Sequence, residues 1–174
     1  MGSLVVSLSN GELALLRPDP AEGLRVVETW HAHDFEPWIA AWDYWDTNTV
    51  YSVGSYDSTV RLFDKRKPMT PLTQADVSGG VWRVKWHPKA NRPHDLLVAC
   101  MHDSFKIVKY RDIWDPNDPK TFTGENWEIV RTFDKHESLG YGVDWSYAEG
   151  QDAPGQTLIA SASFYDHALY VWKG

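Results

Sequence analysis

One plan is written three times along this 174-residue chain, and no other feature restricts its fold as much. Each copy has a short apolar or alternating strand ending in tryptophan (Trp42, Trp86, Trp145). A second apolar strand follows and runs into a turn aspartate (Asp57, Asp103, Asp166). A third alternating strand ends in an aromatic residue (Phe63, Tyr110, Trp172). Period-two alternation between turn residues is the signature of strands. A further strand precedes each copy, at Leu24 to Trp30, Met69 to Gln74 and Trp127 to Phe133. The marker tryptophans lie 44 and then 59 residues apart, the second spacing lengthened by two loops, and four short strands in a period near 40–45 residues describe the blade of a β-propeller. No segment carries a helical period, so the expected fold class is all-β.

Asn10-Gly11 between Ser3–Leu8 and Glu12–Leu16 is a strong hairpin signal and reads as the middle of a blade. The predicted organisation is a half blade over 1–17 and full repeats over 24–64, 69–110 and 127–172. Residues 111–124, rich in Asp and Pro, form an insertion loop, and 148–156 form a second. Because propellers close with about four to eight blades, these three and a half are expected to belong to a larger propeller.

Composition narrows the function classes. A formal net charge of −7 without a Lys/Arg run argues against nucleic acid and favours cationic partners. The single cysteine, Cys100, permits no internal disulfide and suits a reducing compartment. No apolar run reaches the length of a membrane span, so a cytoplasmic or endosome-associated location without membrane insertion is expected. The chain lacks a Gly-x-Ser-x-Gly elbow, a His-Glu-x-x-His zinc motif and a phosphate-cradling Gly loop. His31-Ala-His33-Asp34, with Glu36 nearby, has no second ligand pair, so neither a metal nor another cofactor is expected. Cys100 lies within an apolar strand and reads as a buried, inert thiol.

The turn aspartates raise a choice between scaffold and chemistry, sharpest at Asp166-His167. Asp in a tight turn bonds its own backbone. The pattern resembles the WD-repeat family, in which a His before the first strand, a Ser or Thr on the second, the turn Asp and a final Trp form a structural hydrogen-bond network. The resemblance assigns His136, Ser161 or Ser163, Asp166 and Trp172 to that network in the last repeat. It assigns His33, Ser52 and Asp57 in the first, where Phe63 replaces Trp. In the middle repeat Asp103 is present, but Ser78 or Gly79 stands in the His place and Tyr110 ends the unit. His31, His33, His102, His136 and His167 all fall in loops on one propeller face, with His87 and His94 on the other. His102 and His167 are then either turn residues or acid–base groups.

Longer segments carry a narrower resemblance. Trp30-His-Ala-His-Asp-Phe-Glu-Pro-Trp-Ile-Ala-Ala-Trp42, Gly79-Gly-Val-Trp-Arg-Val-Lys-Trp-His-Pro88 and Leu96-Leu-Val-Ala-Cys-Met-His102 are three of them. His136-Glu-Ser-Leu-Gly-Tyr-Gly-Val-Asp-Trp-Ser146 and Ser161-Ala-Ser-Phe-Tyr-Asp-His167 are the others. Together they resemble the C-terminal half of the diphthine methyl ester hydrolases, also called diphthine methyltransferases, WD-repeat proteins of the diphthamide pathway. The resemblance implies hydrolysis of a carboxylic methyl ester on methylated diphthine of translation elongation factor 2, with other diphthamide-pathway proteins as further partners. Such a substrate carries a quaternary ammonium group, which aromatic faces bind. Trp38, Trp82 and Tyr141, near the starts of first strands, are the candidates for that contact. His102 or His167 is the candidate base, with His33 as a further catalytic candidate and Glu36 or Glu137 as orienting carboxylates. Two other classes remain open: a non-catalytic WD-repeat scaffold, and a reader of methylated cations that uses the same aromatics without a base.

Overall fold

A computed structural model describes residues 2–54, 56–111, 126–148 and 155–174. The expected insertion loop lies, apart from Arg111, outside the described residues, as does most of the second loop. Within them the chain is all-β, with fourteen strands and no helix.

Four antiparallel sheets follow one another along the chain. The first holds β1 (Leu4–Ser7), β2 (Glu12–Asp19) and β3 (Gly23–His31). The second holds β4 (Pro37–Trp42), β5 (Thr49–Gly54), β6 (Thr59–Asp64) and β7 (Thr73–Asp76). The third holds β8 (Arg83–Trp86), β9 (Asp95–Ala99), β10 (Phe105–Tyr110) and β11 (Trp127–Phe133). The fourth holds β12 (Gly140–Trp145), β13 (Leu158–Ser163) and β14 (Leu169–Lys173). Successive sheets pack through β1 on β4, β7 on β11, and β8 and β9 on β12. This is a partial β-propeller.

The sheets divide the chain differently from the repeats. The strand preceding each repeat is the outermost strand of the sheet before it, so β3 closes the first sheet rather than opening the second. The Asn10-Gly11 hairpin is present, with Gly11 at φ +88°. The strand read from Met69 begins instead at Thr73. Pro68 and Pro71 explain the delay, since proline has no N–H to donate to the ladder.

Burial explains the strand compositions. β9 and β10 lie between neighbouring sheets on both faces, so nearly all their residues are buried, including Leu96–Ala99, and so is Cys100 just after β9. Alternation then sends them to two cores. Leu96, Val98 and Val108 pack with Tyr51, Val53 and Val60 of the second sheet. Leu97, Ala99, Phe105 and Ile107 pack with Val143, Trp145, Ile159 and Trp172 of the fourth. A third core joins Leu13, Leu15 and Trp30 to Val50 and Phe63. Each fully buried large aliphatic side chain contributes about 1.5–3 kcal/mol.

Polar ties cross the same seams. The Trp145 indole N–H donates to the Lys85 carbonyl at 3.0 Å, and that of Trp45 to the His87 carbonyl at 3.0 Å. The Tyr110 hydroxyl donates to the Val60 carbonyl at 3.4 Å. Trp42, Trp45, Trp145 and Trp172 therefore act as packing anchors with a polar handle.

Candidate functional site

All three turn aspartates sit where the repeats place them, and each is stabilised differently. In the first full repeat, buried His33 bridges Asp57 (Nδ1 to Oδ2, 2.5 Å) and the Ser52 hydroxyl (Nε2 to Oγ, 2.8 Å). Burial pushes the Asp57 pKa up, but hydrogen bonds and charge from His33, with the Thr59 donors, hold it below the ordinary value. With both ring nitrogens engaged inside the protein, His33 is withdrawn from the catalytic candidates.

In the last repeat the network is longer. The Trp172 indole N–H donates to Ser161 Oγ at 3.1 Å, and Ser161 Oγ bonds His136 Nε2 at 2.9 Å. His136 Nδ1 bonds Ser163 Oγ, which in turn bonds the Asp166 carboxylate. Indole only donates, so the arrangement satisfying every partner is directional. Ser161 donates to Nε2, Nδ1–H donates to Ser163, and Ser163 donates to Asp166. Ser163 thus stands between His136 and Asp166, whose nearest atoms are 4.0 Å apart. Burial lowers the His136 pKa, which favours the neutral ring this ordering requires.

In the middle repeat neither Ser78 nor Gly79 plays the histidine's part. A Cβ on Gly79 would overlap the Cys100 carbonyl, and the Ser78 side chain faces solvent. Buried Lys106 replaces it, donating from Nζ to Asp103 at 2.5 Å and to the Val77 carbonyl at 2.6 Å. Tyr110 does not occupy the Trp172 position. Register matches Ile159 with Trp172 and Leu96 with Val108, so Val108 fills that place. A charged residue flanked by Phe105 and Ile107 on a buried strand was the available signal for Lys106.

His167 takes φ +52°, the same left-handed slot after the turn Asp that Ser58 (φ +58°) and Ser104 (φ +72°) take in the other repeats. Its backbone N–H donates to the Phe164 carbonyl at 3.3 Å. The geometry gives it a turn role. His102 occupies a different place, before its Asp, matched by Tyr56 and Tyr165 in the other turns. It lines a cleft of about 300 Å³ with Ser104, His136, Glu137, Ser138 and Leu139. Of the predicted acid–base groups, the fold brings His102 and Glu137 into one cleft, while exposed Glu36 lies in the β3–β4 connection.

The three aromatic candidates do meet. The Trp38 and Trp82 rings contact edge to face at 4.7 Å, and Trp82 and Tyr141 at 5.0 Å. Trp82 and Tyr141 line a cleft of about 500 Å³ with Gly142, Ala162, Ser163, Phe164 and Tyr165. The two clefts are neighbours: the Tyr165 N–H of one wall donates to Ser138 Oγ of the other at 3.2 Å, and Ser163 bonds His136. Sequence reasoning missed Phe164 and Tyr165 as cleft residues. Adjacent exposed aromatics in a turn were the signal.

Other groups are accounted for. Burial pushes the Cys100 thiol up to about 12, as suits an inert core residue. Among the described residues no three His, Cys, Asp or Glu side chains converge as a metal site.

Four sheets stacked in chain order, three of them with a turn aspartate between their second and third repeat strands, define a partial β-propeller built from repeated blades. Over 83% of its length the chain is 32% identical to the diphthine methyltransferase of Mus musculus, and 31% identical to that of Homo sapiens. Over 97% of its length it is 27% identical to a diphthine methyltransferase homolog of Dictyostelium discoideum. The chain is a relative of the diphthine methyltransferases, as its motifs indicated. The alignments span 38% of the mouse protein, 40% of the human one and 59% of the Dictyostelium one. No family model matches the chain.

Proposed function

We propose that this chain serves diphthamide biosynthesis by hydrolysing the methyl ester of methylated diphthine on translation elongation factor 2. The observation carrying this reading is the aromatic cleft of Trp82, Tyr141, Phe164 and Tyr165, beside the smaller cleft of His102 and Glu137. Exposed aromatic faces attract a quaternary ammonium group, which sheds its water more readily than a primary amine. A cation seated there leaves the ester to lie toward the polar cleft.

His102 acts as general base on water in this scheme, with Glu137 orienting its ring. The water oxygen bonds to the carbonyl carbon as its proton passes to the imidazole. The tetrahedral intermediate then expels methoxide, which takes that proton and leaves as methanol. The acid formed ionises to solvent. An elongation-factor substrate sets the reaction in the cytosol.

The test is incubation of the folded chain with elongation factor 2 bearing the ester, in isotopically heavy water, read by mass spectrometry of the modified peptide. The expected product has lost the methyl and gained one solvent oxygen in its carboxylate. Methyl loss without the heavy oxygen would replace hydrolysis by methyl transfer. Retention of the ester by a folded chain that still binds the factor would leave the non-catalytic scaffold. His102→Ala is expected to lower kcat by about 10²–10⁴ with KM little changed. Trp82→Ala is expected to raise KM about tenfold, the loss of one cation–π contact.

A further inference from the structure

The aromatic cleft is one end of a longer feature. Trp38 also contacts Tyr56 at 5.6 Å, and Tyr56 contacts Phe35 at 6.5 Å. At the other end Tyr141 meets Phe164 at 6.5 Å, and Phe164 meets Tyr165 at 5.2 Å. Seven rings therefore run edge to edge across the rims of the second, third and fourth sheets. Phe35 and Tyr56 are 49% and 67% exposed, too open to be explained as core. A soluble chain gains nothing from leaving such a strip in water unless something covers it.

The neighbours of the open end specify the chemistry of the occupant. Phe35 stands between Asp34 and Glu36, both exposed, and Tyr56 precedes Asp57. Asp34 pairs with His31 at 3.2 Å, but both side chains remain largely in solvent. Arg61 is turned inward to the Ala32 carbonyl and to Asp57 at 3.7 Å. Exposed rings interleaved with carboxylates, on a chain of formal charge −7, suit guanidinium and ammonium groups, which stack on the rings and pair with the acids.

We infer that the Phe35–Tyr56 end of this strip docks a basic, extended polypeptide segment. If the proposed activity holds, it belongs to the protein whose modified side chain enters the Trp82 cleft. The docking itself does not depend on that activity. The cleft then selects the small cation, and the strip selects the chain that carries it.

The test uses the full chain and a ten-residue peptide of alternating Arg and Gly, with a Glu/Gly peptide as control, titrated by calorimetry at two salt concentrations. The Arg peptide is expected to bind and to weaken as salt rises, while the Glu peptide does not bind. Phe35→Ala and Tyr56→Ala, both truncating exposed rings, should each weaken binding by about tenfold. Asp34→Asn with Glu36→Gln should flatten the salt dependence. With the ester-bearing protein substrate, Phe35→Ala should raise KM and largely spare kcat. Binding of the Arg peptide that is indifferent to all four substitutions, or no binding at all, overturns the docking surface. Peptide binding lost in Phe35→Ala by a chain without ester hydrolysis would keep the surface and discard the activity. Hydrolysis with both KM and Arg-peptide binding unmoved by Phe35→Ala would do the reverse.

Discussion

The rim turns of the second and fourth sheets meet the same requirement by different means. Both bury an imidazole beneath a turn aspartate and tie it to a serine on the strand below. In the second sheet the contact is direct, His33 to Asp57, with Phe63 in the place that Trp172 fills in the fourth. In the fourth sheet Ser163 is interposed, and Trp172 extends the chain of donors. The difference lies in redundancy. Removing His33 takes the histidine's bonds from Ser52 and from Asp57 Oδ2 at once, leaving Asp57 the Thr59 donors and Arg61. Removing His136 leaves the bonds from Ser163 to Asp166 and from Trp172 to Ser161 intact.

That contrast makes the largest predicted effect. His33→Ala should destabilise the fold by about 3–5 kcal/mol, because an almost buried carboxylate loses its main partner. His136→Ala should cost about 2–3 kcal/mol, since fewer polar atoms are left unpaired. Urea unfolding of the two variants reads the difference. Equal midpoints would break the comparison. The middle turn extends it: Lys106→Met should cost less than His33→Ala, because Asp103 is near enough to solvent to be rehydrated.

Acid is the next probe, and it should act on the seams of the fourth sheet before the His33 turn. His87 is fully buried, bonds Thr157 Oγ1 at 2.9 Å across the seam to the fourth sheet, and has its pKa pulled down to about 4 by burial. An imidazole whose folded pKa lies below its unfolded value of 6.5 stabilises the fold above pH 6.5. That contribution is lost as pH falls from 6.5 toward about 4. The loss is on the order of 3 kcal/mol for His87, and His136 adds to it with the same sign. Asp57 and Asp166 are both lowered, so they withdraw their stabilisation only at more acid pH, through the carboxylate range. Amide exchange at pH 7 and pH 5 should show Thr157 and Ser161 losing protection first. A stability flat between those values would remove the buried imidazoles from the account.

The same contrast explains which features could be read from the sequence. The strands, the hairpin at Asn10-Gly11 and the three turn aspartates were legible, because each is a local pattern with a local cause. So was the meeting of Trp38, Trp82 and Tyr141, since equivalent positions in successive repeats lie at one rim. Two things were not. Assigning β3, β7 and β11 to the preceding sheets depends on pairing across a turn, and alternation within a strand carries no information about its partner. Lys106 replaces a histidine from a different strand, so comparing residues position by position finds a gap where the structure has a substitute. Ser163 was one of two equivalent-looking serines; only the register, which matches Gly140 with Ser163 and Val143 with Ser161, separates their partners.

The smallest effect concerns His167, where scaffold and chemistry predict opposite outcomes. At φ +52° it holds a backbone conformation that costs an L-residue about 1–2 kcal/mol and glycine almost nothing. Glycine also gives the unfolded chain more freedom, which offsets part of the gain. His167→Gly should therefore raise stability by no more than about 1 kcal/mol, and Ser58→Gly and Ser104→Gly should behave alike, because all three share one slot. If the slot is all that His167 contributes, ester turnover by His167→Gly matches the parent chain while His102→Ala loses it. A folded, slightly stabilised His167→Gly without turnover would mean that the turn presents the imidazole to substrate. The fourth sheet would then differ from the second in its chemistry as well as in its redundancy.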